Sequence, residues 1–150
     1  MEIERLRAFL RRHRRMALDT SVFIYQLESN PKYVSCTDLI FLWLETAGSA
    51  AVTSTITMTE LLVLPYRKRD EQRANDFYAL LSTYPNLGWI APNLEIAKVA
   101  ARIRAQHRLH TPDALLAATA VYSQATGLIT NDQIFERVRD IETLVLDELL

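Results

Sequence analysis

Residues 16–25 read MALDTSVFIY, and this stretch decides the fold of the chain. Its first part, 16–20, is a short apolar run that ends at Asp19, which is typical of a buried strand in a parallel sheet. The residues that follow, 21–28, are predicted to form a helix. A buried strand that leads directly into a helix begins a βαβ unit, so the pattern predicts an α/β protein.

The same alternation of apolar runs and helical patterns continues along the chain. We expect an α/β/α sandwich of three layers around a short, mainly parallel central sheet. Pro65 should disturb its helix, and Thr111 should cap the alanine-rich helix that follows it. The further predicted strands are 50–54, 87–92, 127–130 and 143–146, and the further predicted helices are 2–14, 57–67, 70–83, 94–107, 111–125 and 133–137, with another that opens at Asn30 and Pro31.

The composition is that of an ordinary globular chain. Its 150 residues fit one domain, and three glycines and five prolines leave little material for a linker. The net charge of −1 provides no overall attraction to nucleic acid. The single cysteine, Cys36, excludes an internal disulfide and a zinc site built from thiolates, and it fits the reducing cytoplasm. No apolar run approaches the roughly 18 residues of a membrane span, so we expect no membrane association.

Residues 1–15 form an arginine-rich N-terminal segment. Their apolar positions Ile3, Leu6, Phe9 and Leu10 share one side of a helix. We interpret 1–15 as a basic helical extension to a domain that spans 16–150. The extension could be a surface helix, which we favour, an arm that binds a partner or RNA, or a consequence of start-site choice.

Four acidic residues fall where the predicted strands end. Asp19 closes the first strand, and Glu60 lies in the helix after the second. Asp113 lies in the first turn of the alanine-rich helix, and Asp132 follows the strand 127–130. Because ligands bind beyond the carboxyl ends of parallel strands, we expect these side chains to converge there.

Each of these acids also has a simpler explanation as a helix cap. Asp19 and Asp132 precede helices, Asp113 would favour a helix dipole, and Glu60 is the third helical position of a capping box that starts at Thr57. Together, however, four carboxylates repel one another, and no lysine or arginine is adjacent in sequence to Asp19, Glu60 or Asp113. A hard cation such as Mg²⁺ or Mn²⁺ would compensate this charge and could activate water for attack on a phosphodiester.

Four motifs carry a resemblance to a known family. The stretches ALDTSVFIY (17–25), TMTELL (57–62), TPDALLAATA (111–120) and LITNDQIF (128–135) resemble, in this order, the motifs of the PIN domain family, and most of all the VapC-type toxin ribonucleases of toxin–antitoxin pairs. The resemblance implies RNA hydrolysis that depends on Mg²⁺ or Mn²⁺ and proceeds by metal-activated water. It also implies an antitoxin partner and a homodimer. The residues that it implies as catalytic and metal-binding are Asp19, Glu60, Asp113 and Asp132, with the hydroxyls of Ser21 and Thr130 beside them.

Other readings of the same residues stay open. The fold could serve as a non-catalytic PIN-like module that binds RNA or protein. A phosphatase with Asp19 as nucleophile is disfavoured, because Ser21 stands where such enzymes carry a second aspartate. His13, His107 and His110 lack the spacing of a zinc hydrolase. Arg104, which precedes Arg108 by one helical turn, is our candidate for contact with an RNA phosphate, although a solvated helix face explains it equally well.

Overall fold

The structure is a computed structural model that describes residues 2–150. Its centre is one parallel sheet of five strands: β1 (Arg15–Leu18), β2 (Ala50–Ser54), β3 (Leu87–Ile90), β4 (Gly127–Thr130) and β5 (Glu142–Val145). The strands lie in the order β3-β2-β1-β4-β5, and every neighbouring pair is parallel. The three-layer α/β/α sandwich predicted from the sequence is therefore confirmed.

The helices described between residues 2 and 150 cover both faces of this sheet. They are α1 (Ile3–Arg12), α2 (Thr20–Leu27), α3 (Val34–Leu44), α4 (Thr55–Arg67), α5 (Glu71–Ser82), α6 (Leu94–His107) and α7 (Thr111–Tyr122), with short 3₁₀ helices at Gln133–Arg137 and Leu146–Leu149. Helices α1, α2 and α3 contribute to one hydrophobic cluster, and α6 and α7 contribute to the other. None of the helices in this part of the chain is both long and apolar enough to cross a bilayer.

Alternation along the central strands explains how both faces are filled. Met16 and Leu18 belong to the cluster on the α1–α3 side, whereas Ala17 between them belongs to the cluster under α6 and α7. Leu128 and Ile129 of β4 divide between the two faces in the same way. Successive side chains of a strand point to opposite faces, so a strand buried on both sides reads as a continuous apolar run.

The N-terminal helix predicted within 1–15 is present, and it packs into the core. Leu6, Phe9 and Leu10 are buried in the same cluster as the residues of β1. The backbone N–H of Glu2 donates to the Leu149 carbonyl at 2.7 Å, and Arg12 pairs with Glu142. Helix α1 therefore joins the two ends of the chain instead of standing apart from the domain.

Pro65 does not disturb its helix, and in this respect the sequence-based expectation is wrong, although the predicted helix end at residue 67 is confirmed. Helix α4 begins at Thr55, earlier than predicted, and continues through Pro65 to Arg67. The proline lies in the last turn of the helix, where the missing N–H removes a single hydrogen bond to the preceding turn. Its ring is buried, so packing compensates for part of this loss.

We predict that Leu6→Ala lowers the free energy of unfolding by about 2–5 kcal/mol, because the side chain is completely buried and its removal leaves a cavity. Urea unfolding at neutral pH measures the effect. Leu42→Ala is the control: Leu42 is 62% exposed on α3, and its truncation should change stability by no more than about 0.5 kcal/mol. Equal stability of Leu6→Ala and the wild type would show that α1 is dispensable for the core.

Candidate active site

The strand order creates a crevice at the carboxyl ends of β1 and β4. From β1 the chain continues to β2 and β3 on one side of the sheet, while β4 and β5 lie on the other side. Ligands of open parallel sheets bind at such a reversal of strand order. Asp19 follows β1 directly, and its backbone N–H donates to the Ile129 carbonyl of β4 at 3.0 Å. The site therefore begins where the two central strands are joined.

Asp19 is held by three hydrogen-bond donors. One carboxylate oxygen accepts from the Thr20 N–H at 2.8 Å, and the other accepts from the hydroxyls of Thr130 at 2.7 Å and Ser21 at 3.3 Å. Burial raises the pKa of Asp19, and these hydrogen bonds oppose that rise. Asp19 also caps α2, so the capping explanation is correct for this residue and is compatible with a role in the site.

Glu60 is not part of a capping box. The N-cap of α4 is Ser54, whose hydroxyl accepts from the Ile56 N–H at 3.2 Å, and this places Glu60 in the second turn. There its carboxylate accepts from the Thr20 hydroxyl at 2.7 Å. The first helix after β1 thus reaches the helix after β2 through one side-chain hydrogen bond.

Thr20 is a site residue that the sequence reasoning missed. It is buried, donates to Glu60 through its hydroxyl and donates to Asp19 through its backbone. It therefore links two of the four acids. The sequence gives one indication of this role, because Thr20 lies between Asp19 and Ser21, which were both predicted to be site residues. Its contact with Glu60 could not be predicted, because Glu60 lies forty residues away.

The pKa of Asp113 is strongly raised. Burial, followed by the charges of Asp19, Asp132 and Glu60, raises the pKa of Asp113 to about 6, and His110 opposes this rise. The charges of Asp19, Asp132 and Glu60 thus all bear on Asp113, and the assignment of the four acids to one catalytic site stays a prediction.

Asp132 is held at the end of β4 by local hydrogen bonds. Its carboxylate accepts from the Ile134 N–H at 3.0 Å and caps the 3₁₀ helix Gln133–Arg137. Its own N–H donates to the Thr130 hydroxyl at 3.0 Å. Since Thr130 also donates to the Asp19 carboxylate, this single hydroxyl connects that carboxylate to the backbone of Asp132.

The four carboxylates offer the oxygen ligands that a hard cation prefers, but they do not enclose an ion by themselves. None of the ion pairs among residues 2–150 includes any of the four acids, so their mutual repulsion is not relieved by a lysine or arginine. In this same range, no three histidine, cysteine or acidic side chains are arranged closely enough to enclose an ion on their own. Mg²⁺ does not require such a cage, because it usually keeps several waters and binds through one or two carboxylates.

Arg104 lies near the site and has partners within the protein. Its guanidinium donates to the Leu109 carbonyl and to the Thr111 hydroxyl, both at 3.0 Å. The expectation that Thr111 caps α7 is wrong, because the N-cap position belongs to His110 and the Thr111 hydroxyl is bound to Arg104. Arg104 thus fixes the loop before Asp113, and its contact with an RNA phosphate stays a prediction.

The raised pKa of Asp113 predicts a pH dependence of stability. A carboxyl whose pKa is higher in the folded state stabilises the folded protein while it is protonated. This stabilisation is complete at pH values below the pKa of the unfolded chain, which is about 4, and it is lost as the pH rises through the folded-state pKa of about 6. In metal-free buffer, Asp113→Asn should therefore be more stable than the wild type at pH 7.5 by about 1 kcal/mol, after allowance for the solvent that reaches this half-buried group. The difference should disappear near pH 4.

Urea unfolding between pH 4 and pH 8 measures this dependence, and Asp140→Asn controls for the loss of one exposed negative charge. A wild type that gains stability relative to Asp113→Asn as the pH rises would contradict the assigned direction.

Comparisons with known proteins agree with this architecture. The PIN domain model matches residues 16–141. VapBC2 from Rickettsia felis bound to a DNA fragment from its promoter gives a TM-score of 0.66 at 20% identity, over 87% of this chain and 98% of that chain. VapBC-1 from nontypeable Haemophilus influenzae gives a TM-score of 0.68 at 22% identity, over 89% and 98% of the two chains.

A third similar structure is VapC20 from Mycobacterium tuberculosis, described as a toxin that cleaves the sarcin-ricin loop. It gives a TM-score of 0.59 at 16% identity, over 75% of this chain and 86% of that chain. A comparison with curated protein sequences finds no match. The family model covers most of the chain and includes all four acids, and so the chain belongs to the PIN domain family.

Proposed function

We propose that this protein is a divalent-metal-dependent endoribonuclease and the toxin of a toxin–antitoxin pair. The observation that carries the proposal is the set of hydrogen bonds through Thr20 and Thr130 that link Asp19 to Glu60 and to the backbone of Asp132. The charges of these three acids also raise the pKa of Asp113. None of the ion pairs within residues 2–150 includes any of these acids, so no lysine or arginine relieves their repulsion there. Membership in the PIN domain family and the likeness to VapC structures support the same function.

Asp19 and Asp113 are the proposed principal ligands of Mg²⁺ or Mn²⁺, and Glu60 and Asp132 complete the acidic site. When bound, such an ion lowers the pKa of a water molecule and stabilises the negative charge that develops on a phosphodiester. The hydroxyls of Ser21 and Thr130 already donate to Asp19, which leaves lone pairs of this carboxylate free to face the site. Their role is therefore to orient Asp19 rather than to bind the ion.

The remaining side chains would organise the site before RNA arrives. Thr20 fixes the orientation of Glu60, and Thr130 fixes the distance between Asp19 and the loop of Asp132. Arg104 holds the loop that delivers Asp113. A rigid arrangement of this kind reduces the reorganisation that must accompany in-line attack on the phosphate. We expect products with 5′-phosphate and 3′-hydroxyl ends.

A cleft beside the acidic site would accept an antitoxin segment. It lies between α2, α4 and α5, and Glu60 stands on its wall together with Lys68 and Arg73. Its remaining wall is largely apolar, which suits a segment with alternating hydrophobic side chains. The apolar residues that line it are Ile24, Leu27, Leu61, Leu64, Pro65 and Phe77. A homodimer and action in the cytoplasm complete the proposal, since both are typical of the proteins that this chain resembles.

Cleavage of structured RNAs tests the enzymatic part of the proposal. The wild type should cut RNA in Mg²⁺ or Mn²⁺ and stop when EDTA is added. Asp19→Asn and Asp113→Asn should each lose at least about 100-fold in rate, because outer-shell partners of metal ligands alone are typically worth 10–100-fold. Asp140→Asn is the matched control, and mapped product ends identify the hydrolytic route. Undiminished cleavage by Asp113→Asn would refute the assignment, and RNA binding without cleavage by the wild type would favour a non-catalytic module.

Growth measurements test the toxin role separately. Induction of the wild-type chain in a bacterial host should arrest growth, and induction of Asp113→Asn at the same protein level should not. Growth arrest by both chains would place the toxicity outside the acidic site, and growth unaffected by an active wild type would remove the toxin assignment while leaving the nuclease assignment intact.

A further inference from the structure

Asn131 stands between two residues of the site, Thr130 and Asp132, and its side chain bonds on both sides. Its amide nitrogen donates to the Tyr25 hydroxyl oxygen at 3.0 Å, and its amide oxygen accepts from the Asp147 backbone N–H at 2.8 Å. A backbone N–H can only donate, so the contact with Asp147 determines which way the amide faces. Asn131 therefore anchors the loop after β4 to α2 and to the C-terminal 3₁₀ helix.

The two anchors of Asn131 are themselves connected. The rings of Tyr25 and Tyr33 stack with centroids 4.1 Å apart and planes inclined by 16°. The Tyr33 hydroxyl donates to the Asp147 carboxylate at 2.6 Å, and Lys32 lies 3.4 Å from the same carboxylate. The contacts form a closed circuit from Asn131 through Tyr25, Tyr33 and Asp147 back to Asn131. We refer to these four residues as the tyrosine–amide network.

Part of this network lies beyond the segment that matches the PIN domain model, which ends at 141. Asp147 belongs to the 3₁₀ helix Leu146–Leu149, and this helix is held by α1, which also lies outside the match. The Glu2 N–H donates to the Leu149 carbonyl at 2.7 Å. The Arg5 guanidinium donates to the backbone carbonyl and to the carboxylate of Glu148. Segments from both ends of the chain thus support the loop that carries Asp132.

The Asp132 carboxylate has little else to hold it. It is exposed, and it accepts a hydrogen bond from the neighbouring Ile134 N–H. Its position relative to Asp19 therefore depends on the backbone of the loop. Thr130 links that backbone to Asp19 by hydrogen bonds on the side that faces the acidic site. Asn131 links it to Tyr25 and Asp147 by hydrogen bonds away from that site.

We propose that Tyr25 and Asn131 are positioning residues that hold the Thr130–Asp132 loop in register with Asp19, and that the tyrosine–amide network is their support. The proposal rests on the proposed function only for its catalytic consequence, since the order of the loop is a property of the protein alone. Outer partners of ligand side chains commonly set ligand geometry in this way.

The first test is amide hydrogen exchange of the free protein, without metal or RNA. Tyr25→Phe removes only the oxygen that accepts from Asn131 and keeps the ring stack. Exchange of the Asp132 and Ile134 amides, followed in a peptide that covers 128–137, should become about five to ten times faster, which corresponds to the loss of one hydrogen bond. Tyr84→Phe is the matched control, because Tyr84 is a partly buried tyrosine of the same cluster that packs against Phe41.

A double-mutant cycle separates a shared interaction from general destabilisation. Asn131→Ala removes the same hydrogen bond from its other side and leaves both tyrosines in place. The combined variant should exchange no faster than Asn131→Ala alone, because the bond can be lost only once. Additive effects of the two changes, or exchange at the wild-type rate in Tyr25→Phe, would overturn the proposal. Asn131→Ala also provides the test if Tyr25→Phe does not fold.

The second test measures Mn²⁺ binding and catalysis. Tyr25→Phe should weaken Mn²⁺ binding, measured by calorimetry without RNA, or lower kcat by about tenfold, while KM for RNA stays within about twofold. Unchanged Mn²⁺ affinity together with an unchanged kcat would refute the catalytic consequence. A wild type that neither binds Mn²⁺ nor cleaves RNA would refute the proposed function, and the exchange measurements would still decide whether the network orders the loop.

Discussion

The Thr130 hydroxyl donates a hydrogen bond to Asp19 across the gap between the ends of β1 and β4, and the rest of the site depends on it. Because the same oxygen accepts from the Asp132 N–H, one threonine links the Asp19 carboxylate at the end of β1 to the backbone of Asp132 after β4. This contact is possible only because β1 and β4 are neighbours in the sheet and run parallel. The hydrophobic layers on both faces keep the two strands in that register.

The partly buried acids of the site lower the stability of the folded protein, whereas the hydrophobic core raises it. Asp19 follows three completely buried residues of β1, 16–18, and burial raises its pKa. Asp113 shows the consequence more strongly, because burial and the three neighbouring carboxylates act on it together. The protein moderates this strain with hydroxyl and N–H donors from Thr20, Ser21 and Thr130 rather than with salt bridges.

Periodicity and strand ends were sufficient to predict much of this arrangement. The apolar run before Asp19 and the alanine-rich helix after Asp113 have strong patterns, and the structure places them as predicted. The errors arose where a local rule competed with packing. Glu60 matched a capping box, yet Ser54 starts the helix because the buried strand β2 leads into it directly. Pro65 was expected to disturb its helix, yet its position in the last turn removes only one hydrogen bond.

The sequence by itself determined the fold class, the order of the strands and helices along the chain, and the identity of the four acids, because each depends on residue type and local spacing. The tertiary structure alone decided which elements became neighbours. It places the Thr20 hydroxyl in contact with Glu60. It also lets the Arg104 guanidinium bond the loop before Asp113, and it places the Asp147 N–H in contact with Asn131. These contacts join residues from different elements, up to forty positions apart. The packing of helices on a parallel sheet brings such residues close together, and this proximity cannot be predicted from a local pattern of residues.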